Sequence, residues 1–330
     1  METHQHRHES VRGRGRPRGG RAMTSAAPIR GVTDAEIAAF HRDGAVLLTG
    51  VLAPEWVSLI ADGLEECFAE RDHMSSEVVA QGAPVRADQL LAARSPSLRR
   101  FANESPVGGL VGSVVAGPVR FYMDQMFFRR AGPMAPTPWH QDTSYHNVEG
   151  TDLVRAWASP DPVPRRASLE VVRGSHRWNV TYRPMVGRDP DMSDEENALR
   201  MALARKRGVY EKGGAGFAYR SVVMDKSLPP TPDVPRDRDS FDIMGWDYEP
   251  GDVILFHGDL LHGTAEGVTL DRDRRAYAAL FAGPEARYIK RVGQMVPDPP
   301  GLAEHEPQTG QTLDSFGDVF PLVWSPGDWN

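Results

Sequence analysis

The chain has a single cysteine, Cys67, so no disulfide can form within it and a cysteine-stapled secreted scaffold is excluded. It also lacks any apolar run near the ~20 residues that a membrane-spanning helix needs. The N-terminus is basic but has no apolar core of the kind a signal peptide carries. No internal repeat is visible. These absences predict a soluble, cytoplasmic protein with no membrane partner. They say nothing about oligomeric state. What is present suits a cored fold: 330 residues, 40% of them hydrophobic and 25% charged, with a net charge of −7.

The charge is unevenly placed. Residues 1–21 hold Arg7, Arg12, Arg14, Arg16, Arg18 and Arg21 against Glu2 and Glu9, a net +4 that leaves −11 for the remainder. A run such as RGRGRPRGG buries too little surface to fold, so residues 1–31 read as a disordered basic extension. Basic tails can bind nucleic acid, but the acidic body would repel a polyanion, and no nucleic-acid partner is expected. Residues 32–330 read as one domain.

Thr33 and Glu36 have the spacing of a capping box, and DAEIAAFHRDG predicts a short helix ending at Gly44. Pro54 opens a second helix, on which Trp56, Leu59, Ile60, Leu64, Cys67 and Phe68 recur at threes and fours. Cys67 on that stripe reads as a small buried hydrophobe rather than a nucleophile. From about residue 117 the rhythm changes to short alternating or apolar runs bounded by Gly, Pro and Asp: VRFYMDQMFFRR, LVRAWASP, SLEVVRG, FDIMGWDYEPGDVILFHG and RRAYAALFAG. No regular helices separate them, which argues against a parallel α/β sheet. The fold class is therefore mainly β with flanking helices, an antiparallel sandwich or barrel. Residues 179–240 are polar and proline-rich, with one helix predicted around SDEENALRMALARKRG, and read as a lid-like insertion. The segment after Val296, with Phe316, Phe320, Trp324 and Trp329, is expected to pack as irregular structure.

The sharpest chemical signal is PTPWHQD at 136–142. In extended backbone His140 and Asp142 project to one side and Gln141 to the other. An imidazole and a carboxylate on one face are two ligands of a divalent metal. The third is best sought in GDVILFHGDLLHGT, which offers His257 and His262. Two histidines and one carboxylate can cap one face of an iron octahedron and leave three adjacent positions open; zinc accepts the same set. The next segment separates the two. Arg274 and Arg275 enter an otherwise apolar strand, where their side chains alternate between faces. An inward arginine is costly unless it meets an anion, and its planar fork suits a carboxylate. Iron with 2-oxoglutarate gives that arginine a purpose; zinc hydrolysis does not. A surface ion pair of Arg274 with Asp271 or Asp273 is the plainer alternative.

Four segments in order resemble the phytanoyl-CoA dioxygenase (PhyH) family of non-haem Fe(II), 2-oxoglutarate-dependent oxygenases: MFFRRAGPMAPTPWHQD at 126–142, SLEVVRGSHRW at 168–178, GWDYEPGDVILFHGDLLHGTAEG at 245–267, and DRRAYAALF at 273–281. The likeness spans roughly residues 32–285. It implies a double-stranded β-helix (jelly-roll, cupin-like) fold, and Fe(II), 2-oxoglutarate and O2 as cofactor and co-substrates. It implies His140, Asp142 and His262 as the iron ligands, which leaves His257 a supporting role. It also implies Arg274 as the anchor of the 2-oxoglutarate distal carboxylate, with Arg275 pointing away. The family usually has a lysine near Arg129 that helps hold the co-substrate; here Arg129 and Arg130 stand there, and which faces inward is open. Family halogenases replace the carboxylate ligand with a small residue, so Asp142 favours hydroxylation or a related oxidation of a small molecule, in the manner of natural-product biosynthesis. Thr143, Tyr145, His146, Arg155, Trp157, His176 and Trp178 are candidates for the substrate pocket. The competing readings are a cupin-like zinc or iron enzyme without 2-oxoglutarate, and a non-catalytic jelly-roll binding protein.

Overall fold

Helix α1 begins where its capping box lies. In a computed structural model, which describes residues 26–70, 76–80, 83–134, 136–184, 193, 195–196, 210–211, 225–291 and 298–329, α1 spans Asp34–Asp43. The Thr33 hydroxyl accepts from the Glu36 amide, and the Glu36 carboxylate accepts from the Thr33 amide. Gly44 ends the helix in the left-handed region at φ 82°. Helix α2 (Pro54–Ala69) starts at its proline and buries Trp56, Ile60, Leu64 and Cys67, with Leu59 and Phe68 half-buried at the margin. Burial raises the Cys67 thiol to about 11, so it is no nucleophile at neutral pH. Helices α3 (Pro96–Glu104) and α4 (Val107–Val115) complete the layer. α4 reads VGGLVGSVV, apolar on every side, and it is buried on nearly every side. No helix among the described residues is long and apolar enough to cross a membrane.

The strands in chain order are β1 (Ala45–Leu48), β2 (Ser76–Ala80), β3 (Ala83–Gln89), β4 (Val119–Arg129), β5 (Gly132–Pro133), β6 (Val148–Glu149), β7 (Leu153–Ala158) and β8 (Leu169–Val172). There follow β9 (Tyr210–Glu211), β10 (Ile243–Gly245), β11 (Val253–His257), β12 (His262–Thr264), β13 (Thr269–Leu270), β14 (Arg274–Ala282), β15 (Arg287–Tyr288) and β16 (Leu322–Trp324). The large antiparallel sheet runs β1-β11-β7-β14-β4-β3-β2-β9, with β16 added to β4. The small sheet runs β10-β8-β12. Together they form the curled jelly-roll with helices outside.

Strand alternation sorts the side chains into two cores. On β14, Tyr277, Ala279 and Phe281 pack among Trp56, Ile60, Leu64, Phe101 and Leu110 of the helices. Ala276 and Ala278 face the other way, toward Leu169 and Val171 of the small sheet and Trp157 and Phe256 of the large one. The site is built in this inner layer. Leu302, Leu313, Phe316 and Phe320 of the C-terminal segment close the end of the sheet over Tyr122 and Met123. That segment is mostly irregular, as expected, but Leu322–Trp324 adds a strand.

The described structure starts before Val32: the Ala26 amide donates to Glu104 and the Ile29 amide to Val51, so residues 26–31 are bonded to the body rather than part of a free extension. Nearly all of the helix anticipated in the 179–240 insertion lies outside the described residues. The end of that insertion rests on the small sheet, with Val234 buried against Trp139, Val172 and Leu261, and Arg238 paired with Glu170 at 2.5 Å.

Candidate active site

His140 and His262 come from segments 122 residues apart and are joined by one antiparallel bridge. Each amide donates to the other's carbonyl at 2.9 Å. Gly263 allows the approach: a β-carbon there would stand 3.0 Å from the Thr137 carbonyl and 3.1 Å from the Trp139 ring. After His140 the chain turns, with Asp142 at φ −70°, ψ −40° rather than in extended backbone. Its amide donates to the Gly258 carbonyl at 3.0 Å. Gln141 points away, its amide nitrogen bonded to the carbonyls of Val180 and Asp259 and its oxygen to the Tyr182 amide. The turn brings Asp142 Oδ1 to 3.5 Å from His140 Nε2 and 3.7 Å from His262 Nε2. Among the described residues, His140, Asp142 and His262 form the group of donors able to hold one metal ion, their ligand atoms all within 4.8 Å.

The hydrogen bonds set the donor atoms. His140 Nδ1 lies 2.7 Å from the Pro138 carbonyl and His262 Nδ1 lies 2.8 Å from that of Leu260. A carbonyl only accepts, so both Nδ1 atoms carry hydrogen and both Nε2 lone pairs face the centre. Burial, then the charge of His140, pushes His262 down to about 4, so it is neutral and ready to ligate at pH 7. Burial alone would raise Asp142, but the Arg155 guanidinium, then His262 and His140, hold it well below the usual carboxylate range. His257 is excluded from the set because both its ring nitrogens are engaged by backbone, Nε2 with the Thr151 carbonyl and Nδ1 with the Asp259 amide.

Arg155 is 1% exposed. Its Nε donates to Asp142 Oδ2 at 2.8 Å, and its Nη2 reaches His146 Nε2 at 3.4 Å. Oδ2 is thereby occupied and Oδ1 is left for a metal. Arg155, anticipated only as a pocket residue, also fixes the orientation of Asp142. The signal was present: an arginine inside the apolar run LVRAWA demands a buried anion, the same argument that singled out Arg274.

Arg274 and Arg129 are both buried, at 4% and 3% exposure, and stand opposite each other across β14 and β4. Arg274 Nε and Nη2 have no hydrogen-bond partner; its guanidinium lies 5.7 Å from the Trp157 ring centroid. The surface ion pair is not formed, because Asp271 pairs with Arg166 and Asp273 with Arg130. Arg129 Nη2 donates to Thr137 at 2.6 Å. Burial, then Arg274, lowers Arg129 to about 9, which leaves it cationic at neutral pH. Arg130 faces outward over the Phe128 and Phe68 rings. Arg275 also faces outward, to Asp161 and Glu65.

A cavity of about 200 Å³ adjoins the triad. Of the pocket candidates, Tyr145, His146, Arg155 and Trp157 line it. Burial, then Arg155, pushes His146 down to about 3, so it is neutral. Thr143 is buried but turned to the Asp259 carboxylate. His176 lies in a separate cavity with His41 and His257, and Trp178 is 39% exposed beside Phe241. Neither reaches the triad's cavity. The remaining wall includes Gln89, Gln125 and Phe127 from β3 and β4, which sequence reasoning did not single out. The arginine pair adjoins this lining: Arg129 bonds Thr137 and Arg274 lies over Trp157, and both of those residues line the cavity.

The sequence model of the phytanoyl-CoA dioxygenase (PhyH) family matches residues 40–276, most of the chain. The chain belongs to the phytanoyl-CoA dioxygenase family. The His-Asp-His cluster can chelate a metal ion and is of the kind typical of iron- and 2-oxoglutarate-dependent oxygenases, which with the family match supports a catalytic, metal-dependent activity. Ectoine dioxygenase of Sphingopyxis alaskensis is 24% identical over 255 residues, 74% of each chain. Among solved structures, the non-haem α-ketoglutarate-dependent epimerase SnoN from nogalamycin biosynthesis superposes with a TM-score of 0.61 at 19% identity, over 88% of this chain and 97% of that one. The carbocyclase SnoK from the same biosynthesis gives 0.59 at 18%, over 88% and 96%. At these identities the likeness to the two structures is one of fold.

Proposed function

We propose that the protein is an Fe(II)- and 2-oxoglutarate-dependent dioxygenase that hydroxylates an unactivated C–H of a small molecule, with release of succinate and CO2. The observation that carries this is the convergence of two Nε2 atoms and one carboxylate oxygen in the same inner layer as a buried arginine whose Nε and Nη2 have no hydrogen-bond partner. The donor set fits Fe(II), with three positions left for co-substrates. Bound iron would supply the activation of dioxygen coupled to oxidative decarboxylation of 2-oxoglutarate.

The chain's own residues do the rest. His140 and His262 present Nε2 because backbone carbonyls hold Nδ1. Asp142 presents Oδ1 because Arg155 holds Oδ2. Arg274, with Arg129 beside it, binds the distal carboxylate of 2-oxoglutarate. Arg274 cannot do so through a surface anion, since both nearby aspartates are already paired. A zinc or iron centre without 2-oxoglutarate would leave that guanidinium without purpose. Asp142 occupies the position a halide would need, which favours hydroxylation. The substrate is a small molecule of natural-product metabolism rather than a nucleic acid.

The test is an anaerobic titration of Fe(II)-loaded protein with 2-oxoglutarate, following the visible metal-to-ligand charge-transfer band. A band that is lost in His140→Ala and weakened in Arg274→Ala supports the assignment. Metal-replete protein without a band overturns it.

A further inference from the structure

The inward face of the large sheet changes character along its strands. On β4 the inward residues are Gln125, Phe127 and Arg129; strand register sets Gln89 opposite Gln125 and Ala87 opposite Phe127 on one side, and Ala278 and Arg274 opposite Gln125 and Arg129 on the other. Four residues of antiparallel strand separate the two ends, about 13 Å. One end therefore carries two guanidinium groups and the other two carboxamides.

Gln89 and Gln125 both line the cavity that adjoins the triad. Gln89 Oε1 is sealed from solvent and has no hydrogen-bond partner among the described residues. An acceptor left that way is destabilising, a cost that a bound donor removes. Being directly opposed, the two amides have β-carbons about 5 Å apart and act on one ligand edge. Ala87 and Ala278 beside them leave space above the sheet. The charge of the surrounding wall is already spent: Arg155 is paired with Asp142, and His146 is neutral. Among the described residues, no other lysine, arginine, aspartate or glutamate lines this cavity.

We infer that Gln89 and Gln125 are the substrate-reading residues, and that the substrate presents to them an uncharged edge with adjacent donor and acceptor groups, of the lactam, carboxamide or hydroxy-ketone class. The inference rests on the oxygenase reading above. Carboxylate, phosphate and ammonium groups are disfavoured at this end, because nothing there would neutralise them and each would be buried at high cost. Substrate and co-substrate are thus sorted by charge along one sheet: the dianion at Arg129 and Arg274, the neutral molecule at the amides.

The experiment uses full-length protein loaded anaerobically with Fe(II) and 2-oxoglutarate, and the shift of the charge-transfer band on adding 2-pyrrolidinone, glutarimide, pyrrolidinium or glutarate as probes. The two neutral probes are expected to shift the band of the wild type and to bind about tenfold more weakly to Gln89→Leu and Gln125→Leu, with 2-oxoglutarate affinity unchanged. Gln125→Glu is expected to gain binding of pyrrolidinium. A retained 2-oxoglutarate band shows that each variant is folded. The inference is overturned if pyrrolidinium or glutarate matches the neutral probes in the wild type, if no neutral probe shifts the band, or if the leucine variants bind them undiminished. Absence of the band itself in the wild type strikes the oxygenase reading instead, so the two failures are distinct.

Discussion

Replacing Arg274 with methionine is expected to have two opposite effects, one on the ligand-free protein and one on its complex. Without 2-oxoglutarate the guanidinium is 4% exposed, faces Arg129 across the strand pair, and leaves Nε and Nη2 without partners. Each unmet buried donor costs about 1–3 kcal/mol, and the like charge of Arg129 adds to it. Methionine fills the space between Met134 and Trp157 with apolar atoms, so the variant should resist urea better than the wild type, by about 2 kcal/mol when no co-substrate is present. With 2-oxoglutarate the balance reverses. Two charge-assisted hydrogen bonds to the distal carboxylate are lost, each worth about 1.5–3 kcal/mol. At 1.4 kcal/mol per decade, the lower figures already raise the dissociation constant by about two orders of magnitude. Urea unfolding with and without the co-substrate measures both effects, and the charge-transfer titration checks the second. A variant that binds 2-oxoglutarate as the wild type does, or that is clearly less stable without it, would refute the argument that this charge is held for an anion.

Three further outcomes follow from the geometry. Arg155→Met frees Asp142 Oδ2. It should change the visible spectrum of Co(II)-substituted protein and lower kcat/KM about 10–100-fold, with Arg155→Lys recovering only part because one ammonium cannot reproduce the fork; an unaltered spectrum would show that Arg155 does not orient the ligand. Arg275→Ala removes pairs with Asp161 and Glu65 at the half-exposed outer surface, so it should cost about 1 kcal/mol of stability and leave 2-oxoglutarate affinity as it was. Burial raises Asp124 to about 6, even though Tyr277 and the Leu91 and Ala92 amides stabilise its charge. The folded state then holds this proton more tightly than the unfolded chain, whose carboxyl titrates near 3.9, so stability falls as pH climbs from about 4 to about 6 and remains lower above. Relative to Asp124→Asn, which keeps an acceptor for the same donors, the wild type should lose about 3 kcal/mol over that window; parallel urea midpoints from pH 4 to 7 would contradict this.

Much of the site was readable where its logic is local. The capping box, the α2 stripe and the opposite senses of Arg274 and Arg275 follow from periods of 3.6 and 2, which short segments display by themselves. His140 and Asp142 were legible as a pair because only Gln141 lies between them. Their convergence did not come from the extended backbone assumed, however. It comes from a turn at Asp142 held by Gly258, a residue far along the chain. His176 shows the limit in the other direction: a histidine on a turn suggests chemistry in any sequence, yet this one packs beside His257 behind the site.

Local order along the chain therefore decides which side chains share a face, and with it the donor types and the single inward arginine of β14. Strand register and bridging decide everything that spans segments: the choice of His262 over His257, the capture of Asp142 by Arg155, the inward turn of Arg129 rather than Arg130, and the opposition of Gln89 and Gln125. The physical reason is that alternation is enforced by the geometry of one strand. A contact between strands depends on where two distant segments align, and a shift of one residue would turn every side chain to the other face.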